Sequence, residues 1–223
     1  MIWVSDDVTG DGARWMAVRL EEAVRERGEA TLAVAGGTSP APLYLELAGL
    51  PVPWHAVTVY FGDERAVPPD HADSNYGMVV GVLLSRVAAA EVFRMEAERP
   101  DRDAAAREYE ALLPDVLDLV ILGLGADGHT ASLFPGTDWS RPTGRRVLPT
   151  TAPVAPHERL SLTPEVLRAA RDVLVVATGE GKARAVRDAL EGEYEPARVP
   201  AQVVRDGTWL IDRAAAAHLE KIG

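Results

Sequence analysis

The chain contains no cysteine among its 223 residues. Disulfides, thiolate metal sites, cysteine nucleophiles and iron–sulfur ligation are therefore excluded. Aromatic residues are scarce at 6%. Neither Trp54 nor Trp209 lies in a stretch that could stack bases, and both are expected in the core or at its rim. No run of 18 apolar residues occurs, and residues 1–7 lack the basic and apolar regions of a secretory signal. A soluble protein with a cytoplasmic address is expected. Basic residues are the minority, 23 against 34 acidic, which gives a net charge of −11. That balance opposes broad attraction to nucleic acid or an anionic membrane, so neither is expected as a partner and a small molecule is. The 16 prolines and 19 glycines are dispersed rather than gathered in a linker, and no repeat of 20 to 50 residues is present. Residues 1–223 are expected to form one domain. A monomer is favoured, although one sequence does not fix the oligomeric state.

What is present is an alternation of short apolar runs and amphipathic stretches. Residues 30–35, 56–61, 117–122 and 172–177 are rich in β-branched side chains and nearly continuous in hydrophobicity, as strands covered on both faces are. Between them, residues 11–27 (apolar at Trp15, Val18, Ala23 and Val24), 104–113 and 180–190 carry helical periodicity, and a helix starting near Pro42 is expected. The reading is α/β: a mostly parallel, Rossmann-like sheet flanked by helices on both faces. Ligands of such folds sit outside the carboxyl ends of the strands, which directs attention to four loops.

The first loop, Ala35-Gly36-Gly37-Thr38-Ser39-Pro40, offers paired glycines, two hydroxyls and a following helix N-terminus. It suits a phosphate, and it equally suits a tight strand-to-helix turn with a serine cap. The second, Phe61-Gly62-Asp63-Glu64-Arg65, puts Arg65 where it could pair with phosphate or carboxylate while Asp63 or Glu64 holds its guanidinium. Asp73 or Ser74 is expected to cap a helix running through Met78 to Val87. The third, Gly123-Leu124-Gly125-Ala126-Asp127-Gly128-His129, is followed by Thr130-Ala131-Ser132-Leu133-Phe134-Pro135. His129 is the one histidine at a strand end amid glycines, where an imidazole can take a proton from water and return it to a leaving oxygen. Asp127 could orient that ring, and the amides of Gly125 and Gly128 are candidate oxyanion donors. A histidine that only satisfies loop carbonyls is the bland alternative. In the fourth loop, Thr178-Gly179-Glu180-Gly181-Lys182, a lysine near a helix N-terminus opposes the macrodipole unless an anion lies nearby or solvent takes its charge. The histidines are dispersed without H-x-x-x-H or H-E-x-x-H spacing, so no metal site and no cofactor is expected. His157 and Arg159, before the short apolar run at Leu160, are weaker candidates for the same face.

Taken in this order, the four loops together with Ser74-Asn75-Tyr76 and Pro200-Ala201-Gln202-Val203-Val204 resemble the 6-phosphogluconolactonase family, from about residue 30 to the C-terminus. The resemblance implies a cytosolic, metal-free hydrolase that opens 6-phospho-D-glucono-1,5-lactone in the pentose phosphate pathway, on a scaffold shared with sugar-phosphate isomerases and deaminases. It implies His129 as the catalytic histidine, residues 36–39 (Gly36, Gly37, Thr38, Ser39) as the phosphate loop, and Arg65 and Lys182 as ligands of the substrate anion. A lysine that the family often carries before the Glu-Arg pair is missing here, which leaves Arg159 or His157 for that contribution. Two other readings compete. Glucosamine-6-phosphate deaminase shares the D-G-H loop but continues with a glutamate where Phe134 stands here. A non-catalytic sugar-phosphate sensor would bind the ligand and leave it intact.

Overall fold

A computed structural model of the chain describes residues 1–140 and 144–220. Ten strands and six α-helices follow one another: β1 (Ile2–Val4), α1 (Val8–Arg27), β2 (Ala30–Val34), α2 (Pro40–Leu47), β3 (Val57–Phe61), β4 (Asp63–Arg65), α3 (Asn75–Val79), β5 (Glu91–Val92), α4 (Arg102–Leu112), β6 (Leu119–Gly123), β7 (Val147–Thr151), β8 (Glu158–Leu162), α5 (Pro164–Ala169), β9 (Asp172–Ala177), α6 (Ala183–Leu190) and β10 (Thr208–Ile211). Seven strands form an all-parallel sheet in the order β1-β10-β9-β6-β2-β3-β5. The expected strands are four of its five interior members, β9, β6, β2 and β3. Their successive residues, Leu32, Ala33 and Val34 on β2 and Val120, Ile121 and Leu122 on β6, are all fully buried. Since neighbours in a strand point to opposite faces, both faces of the sheet are covered, which explains the unbroken apolar runs.

On α1 the buried stripe is Ala13, Met16, Leu20 and Ala23, at spacings of three and four residues. This corrects the expected set, because Val18 is 49% exposed and Trp15 is half-buried with Arg19 over its ring. The helix after β2 starts at Pro40 rather than near Pro42. The helix after β9 is a 3₁₀ turn over Glu180–Lys182 that passes into α6. Ser74, and not Asp73, caps α3, its hydroxyl accepting from the Gly77 amide. Beyond Val79 the α-helix gives way to a π-helical turn, Val80–Leu84, so it does not run to Val87.

Beyond the unexpected β1, β5, β10 and α5, the structure adds a three-stranded antiparallel sheet in the order β4-β8-β7. The chain leaves β3, turns at Gly62 and enters this second sheet at once. The residues that follow the strand end, Asp63 to Arg65, are thereby fixed as a paired strand rather than a free loop. Trp209 and Trp54 belong to the core, as expected. Among the described residues no helix is long and apolar enough to cross a membrane.

Candidate active site

The loops that leave β2, β3, β6 and β9 enclose one open cleft with about 620 Å³ of empty space. Gly36, Gly37, Thr38, Ser39, Asp63, Arg65, Gly125, His129 and Lys182 all line it. Side chains from four separate stretches of sequence are thus brought together by the parallel topology, at the carboxyl ends of the strands.

His129 is held from one side by Asp127, whose Oδ1 lies 2.5 Å from Nδ1 and also accepts from the His129 amide at 3.1 Å. Burial opposes ionisation of Asp127, but the hydrogen bond and charge of His129 outweigh it and hold the carboxyl below its ordinary value. An ionised Asp127 pairs with a proton on Nδ1, so in the neutral imidazole Nε2 is the nitrogen with the free lone pair. Phe134 packs on the other side, its ring centroid 4.6 Å from the imidazole. Gly125 lies beneath the pair: a side-chain carbon there would collide with both His129 Nδ1 and Asp127 Oδ1.

The same loop overturns one expectation. The Gly125 amide donates to the His129 carbonyl at 2.8 Å, and the Gly128 amide donates to the Gly125 carbonyl at 3.0 Å. Both are consumed in shaping the turn and are not free to stabilise an oxyanion.

Around the first loop, Ser39 stands at the N-cap position of α2 but makes no capping bond. Its hydroxyl lies 3.2 Å from that of Thr178, tying the first loop to the fourth. No acceptor among the described residues engages the amides of Gly36, Gly37 or Thr38, and an anion at the helix entrance would satisfy them. Lys182 is half-buried at the cleft wall and has no carboxylate partner among the described residues.

Asp63 and Glu64 do not hold the Arg65 guanidinium, contrary to expectation. Asp63 accepts from the Ser132 hydroxyl at 2.6 Å and from Asn75 Nδ2 at 3.2 Å. Glu64, 3% exposed, accepts from the amides of Arg65, Asn75 and Tyr76 and from the Ser74 hydroxyl. Arg65 instead donates from Nη1 to the Asp73 carbonyl at 2.6 Å. Arg159 pairs with Arg65 in the β4–β8 register but does not line the cleft. His157 is exposed on the β7–β8 turn with Nδ1 3.0 Å from the Ala152 carbonyl, outside the cleft lining. Asn75 and Ser132 belong to this network although the sequence alone does not mark them as site residues. Asn75 is 1% exposed and lines the cleft, with its Oδ1 packed so close to Gly36 that no side chain fits there. The Ser74-Asn75-Tyr76 motif was the available signal, but its role depends on contacts distant in sequence.

Residues 4–211 match the family model described as glucosamine-6-phosphate isomerases/6-phosphogluconolactonase. The chain is 40% identical over 187 residues to a 6-phosphogluconolactonase of Pseudomonas putida, covering 79% of this chain and 76% of that protein. The crystal structure of 6-phosphogluconolactonase from Leishmania guyanensis is similar with a TM-score of 0.85 at 28% identity, covering 100% of this chain and 98% of that one. A monomeric glucosamine-6-phosphate deaminase shares the fold with a TM-score of 0.83 at 24% identity, covering 98% of this chain and 99% of that one.

Proposed function

Because the chain belongs to the family of glucosamine-6-phosphate isomerases and 6-phosphogluconolactonases, we propose that it is a lactone hydrolase that opens 6-phospho-D-glucono-1,5-lactone to 6-phosphogluconate, the hydrolytic step of the oxidative pentose phosphate pathway. The observation that carries this reading is His129, paired with Asp127, lining a cleft where Arg65 and Lys182 have no carboxylate partner among the described residues. A δ-lactone is an activated ester, so one positioned water and one proton shuttle suffice without a covalent intermediate.

His129 Nε2 takes a proton from water as its oxygen attacks C1, and the carbonyl π electrons move to the exocyclic oxygen. Asp127 stabilises the imidazolium that forms. As the tetrahedral intermediate collapses, the C1–O5 bond breaks and His129 returns the proton to O5. The product is an open-chain acid that ionises in water. Arg65, Lys182 and the Gly36–Ser39 loop hold the 6-phosphate, which places the ring against His129.

The test couples enzymatic generation of the lactone to continuous measurement of acid release above the spontaneous rate. Arg65→Ala and Lys182→Ala are each expected to raise KM for the phosphorylated lactone by roughly 10- to 100-fold, the loss of one charge-assisted contact, with little effect on residual turnover of gluconolactone. Equal losses on the two substrates would remove both residues from the phosphate. Acid release no faster than the spontaneous rate would remove the activity itself.

A further inference from the structure

After α6 the chain runs through residues 191–199 without regular structure and enters a 3₁₀ turn, Pro200–Val204. No residue of this stretch lines the cleft. Gln202, in the turn, is 1% exposed, and a buried amide is costly unless its polar atoms are used. Here they are. Nε2 donates both hydrogens, to the Asp188 carbonyl at 2.9 Å and the Glu193 carbonyl at 2.7 Å, while Oε1 accepts from the Glu195 amide at 2.6 Å. One side chain thus supplies the irregular segment with backbone partners that a helix or strand would have provided. The segment also closes on itself, the Val199 amide donating to the Glu195 carbonyl at 2.9 Å and the Gln202 amide to the Val199 carbonyl at 3.0 Å.

From this bracket three contacts reach the loop that carries His129. The Ala201 amide donates to the Gly128 carbonyl at 2.9 Å, and the Ala197 carbonyl accepts from the Gly136 amide at 2.9 Å. Val199 packs on Gly128 so closely that a side-chain carbon there would lie 3.1 Å from its Cγ1. Gly128 and Gly136 have φ of 85° and 70°, a left-handed backbone that glycine adopts readily, so the bracket grips the loop at two of its turns. Gly128 is the residue between Asp127 and His129, and a shift of its peptide moves both partners of their 2.5 Å contact. We propose that Gln202 is a positioning residue for His129: by fixing residues 195–201 it holds Gly128, and through Gly128 it keeps the Asp127 carboxylate on Nδ1. The proposal rests on the reading of His129 as the proton carrier. It predicts an effect on kcat rather than on KM, since Arg65 and residues 36–39 belong to other loops.

The experiment compares the wild type with Gln202→Met and Val199→Ala by steady-state kinetics on the phosphorylated lactone and by nitrogen NMR of the His129 ring in the full chain. Q202M removes the three bonds at nearly constant side-chain length. Arg205, which donates to the Ala189 and Gly192 carbonyls, keeps the start of the segment attached. Q202M is expected to lower kcat roughly 10- to 100-fold, the loss that a displacement of about 1 Å produces at a reacting group. Its KM should change by less than about threefold. V199A, which leaves the hydrogen bonds in place, should lower kcat about 3- to 10-fold. The neutral ring is expected to carry its proton on Nδ1 in the wild type and to show a mixture of tautomers in Q202M. An unchanged ring signal in Q202M overturns the proposal. So does wild-type kcat, or a KM rise as large as the fall in kcat, which a general loosening of the fold would give. Should Q202M fail to fold, V199A decides by the same readouts, and a wild-type result there overturns the proposal. If the wild type turns over no lactone, the hydrolase reading falls, and the ring signal alone decides whether Gln202 positions His129.

Discussion

At the scale of single residues, the proposed chemistry depends on where one proton resides. Asp127 is held ionised by its contact with His129, and an ionised carboxylate on Nδ1 leaves Nε2 as the basic nitrogen. His129→Asn is therefore expected to lower kcat by roughly 10²- to 10⁴-fold, the usual contribution of general acid–base catalysis, with a smaller change in KM. Asp127→Asn should lower kcat by less, since the imidazole stays in place and loses only its fixed tautomer and the stabilising charge. Steady-state kinetics of the purified variants decide this, and wild-type kcat in His129→Asn would end His129's role as base. His129 and Asp127 were legible as candidates because a histidine amid glycines after an apolar run carries its context in six consecutive residues. The failure of Gly125 and Gly128 as oxyanion donors was not legible. Whether an amide is free depends on the fold of the turn, which composition does not specify. Arg159 was visible only as a basic residue before a short apolar run, and its burial follows from pairing with β4, which lies far away in sequence.

At the scale of elements, the four central strands could be read directly, since a strand buried on both faces repeats apolar residues without interruption. The edge strands β1 and β5, the four-residue β10 and the small β4-β8-β7 sheet could not. β1, β4, β5 and β10 span four residues or fewer, and β7 and β8 alternate buried with exposed positions or carry charge, as Glu158 and Arg159 do on β8. Glu64 shows what that sheet does for the site. It sits on β4 and accepts the first amides of α3, joining the small sheet to the helix that presents Asn75. Burial raises its carboxyl above the ordinary value of 4.5, against the opposing bonds from Tyr76, Arg65 and Asn75. The folded protein thus holds this proton more tightly than the unfolded chain does. Glu64's contribution to stability is then greatest below the ordinary value of 4.5 and declines as pH rises through the folded value. Glu64→Gln cannot titrate, and its NH₂ meets donors where the carboxylate accepted them. It is expected to cost about 1–3 kcal/mol near neutral pH, with a stability gap to the wild type that narrows as pH rises through the same window. Urea denaturation of both proteins across roughly pH 4 to 7 checks this; a gap that stays constant or widens would show that Glu64 does not titrate there.

At the scale of the whole molecule, a strongly acidic chain places Arg65 and Lys182, which have no carboxylate partner among the described residues, on the wall of one cleft. Strand order decides which loops meet there: β9, β6, β2 and β3 are consecutive in the sheet, so Lys182, His129, the Gly36–Ser39 loop and Arg65 follow one another along its edge. The fold is shared with a deaminase of sugar phosphates, and the scaffold alone therefore does not select the reaction. The side chains at the cleft do. Ring hydrolysis needs a proton shuttle at one carbon, the role proposed for His129 with Asp127. Aldose–ketose isomerisation also needs a base that carries a proton between C1 and C2 and an acid that opens the ring. The position from which the resembling deaminases supply a glutamate is Phe134 here, packed on the imidazole, and a phenyl ring neither donates nor accepts a proton. Among the described residues no three histidine or carboxylate side chains converge in a way that could hold a metal ion. The protein, incubated with EDTA and offered 6-phosphogluconolactone and glucosamine-6-phosphate in separate reactions, is expected to hydrolyse the lactone at its untreated rate and to release no ammonia from the amino sugar. Ammonia release would assign the cleft to deamination, and loss of lactone hydrolysis that zinc or magnesium restores would replace the His129 route with a metal-bound water.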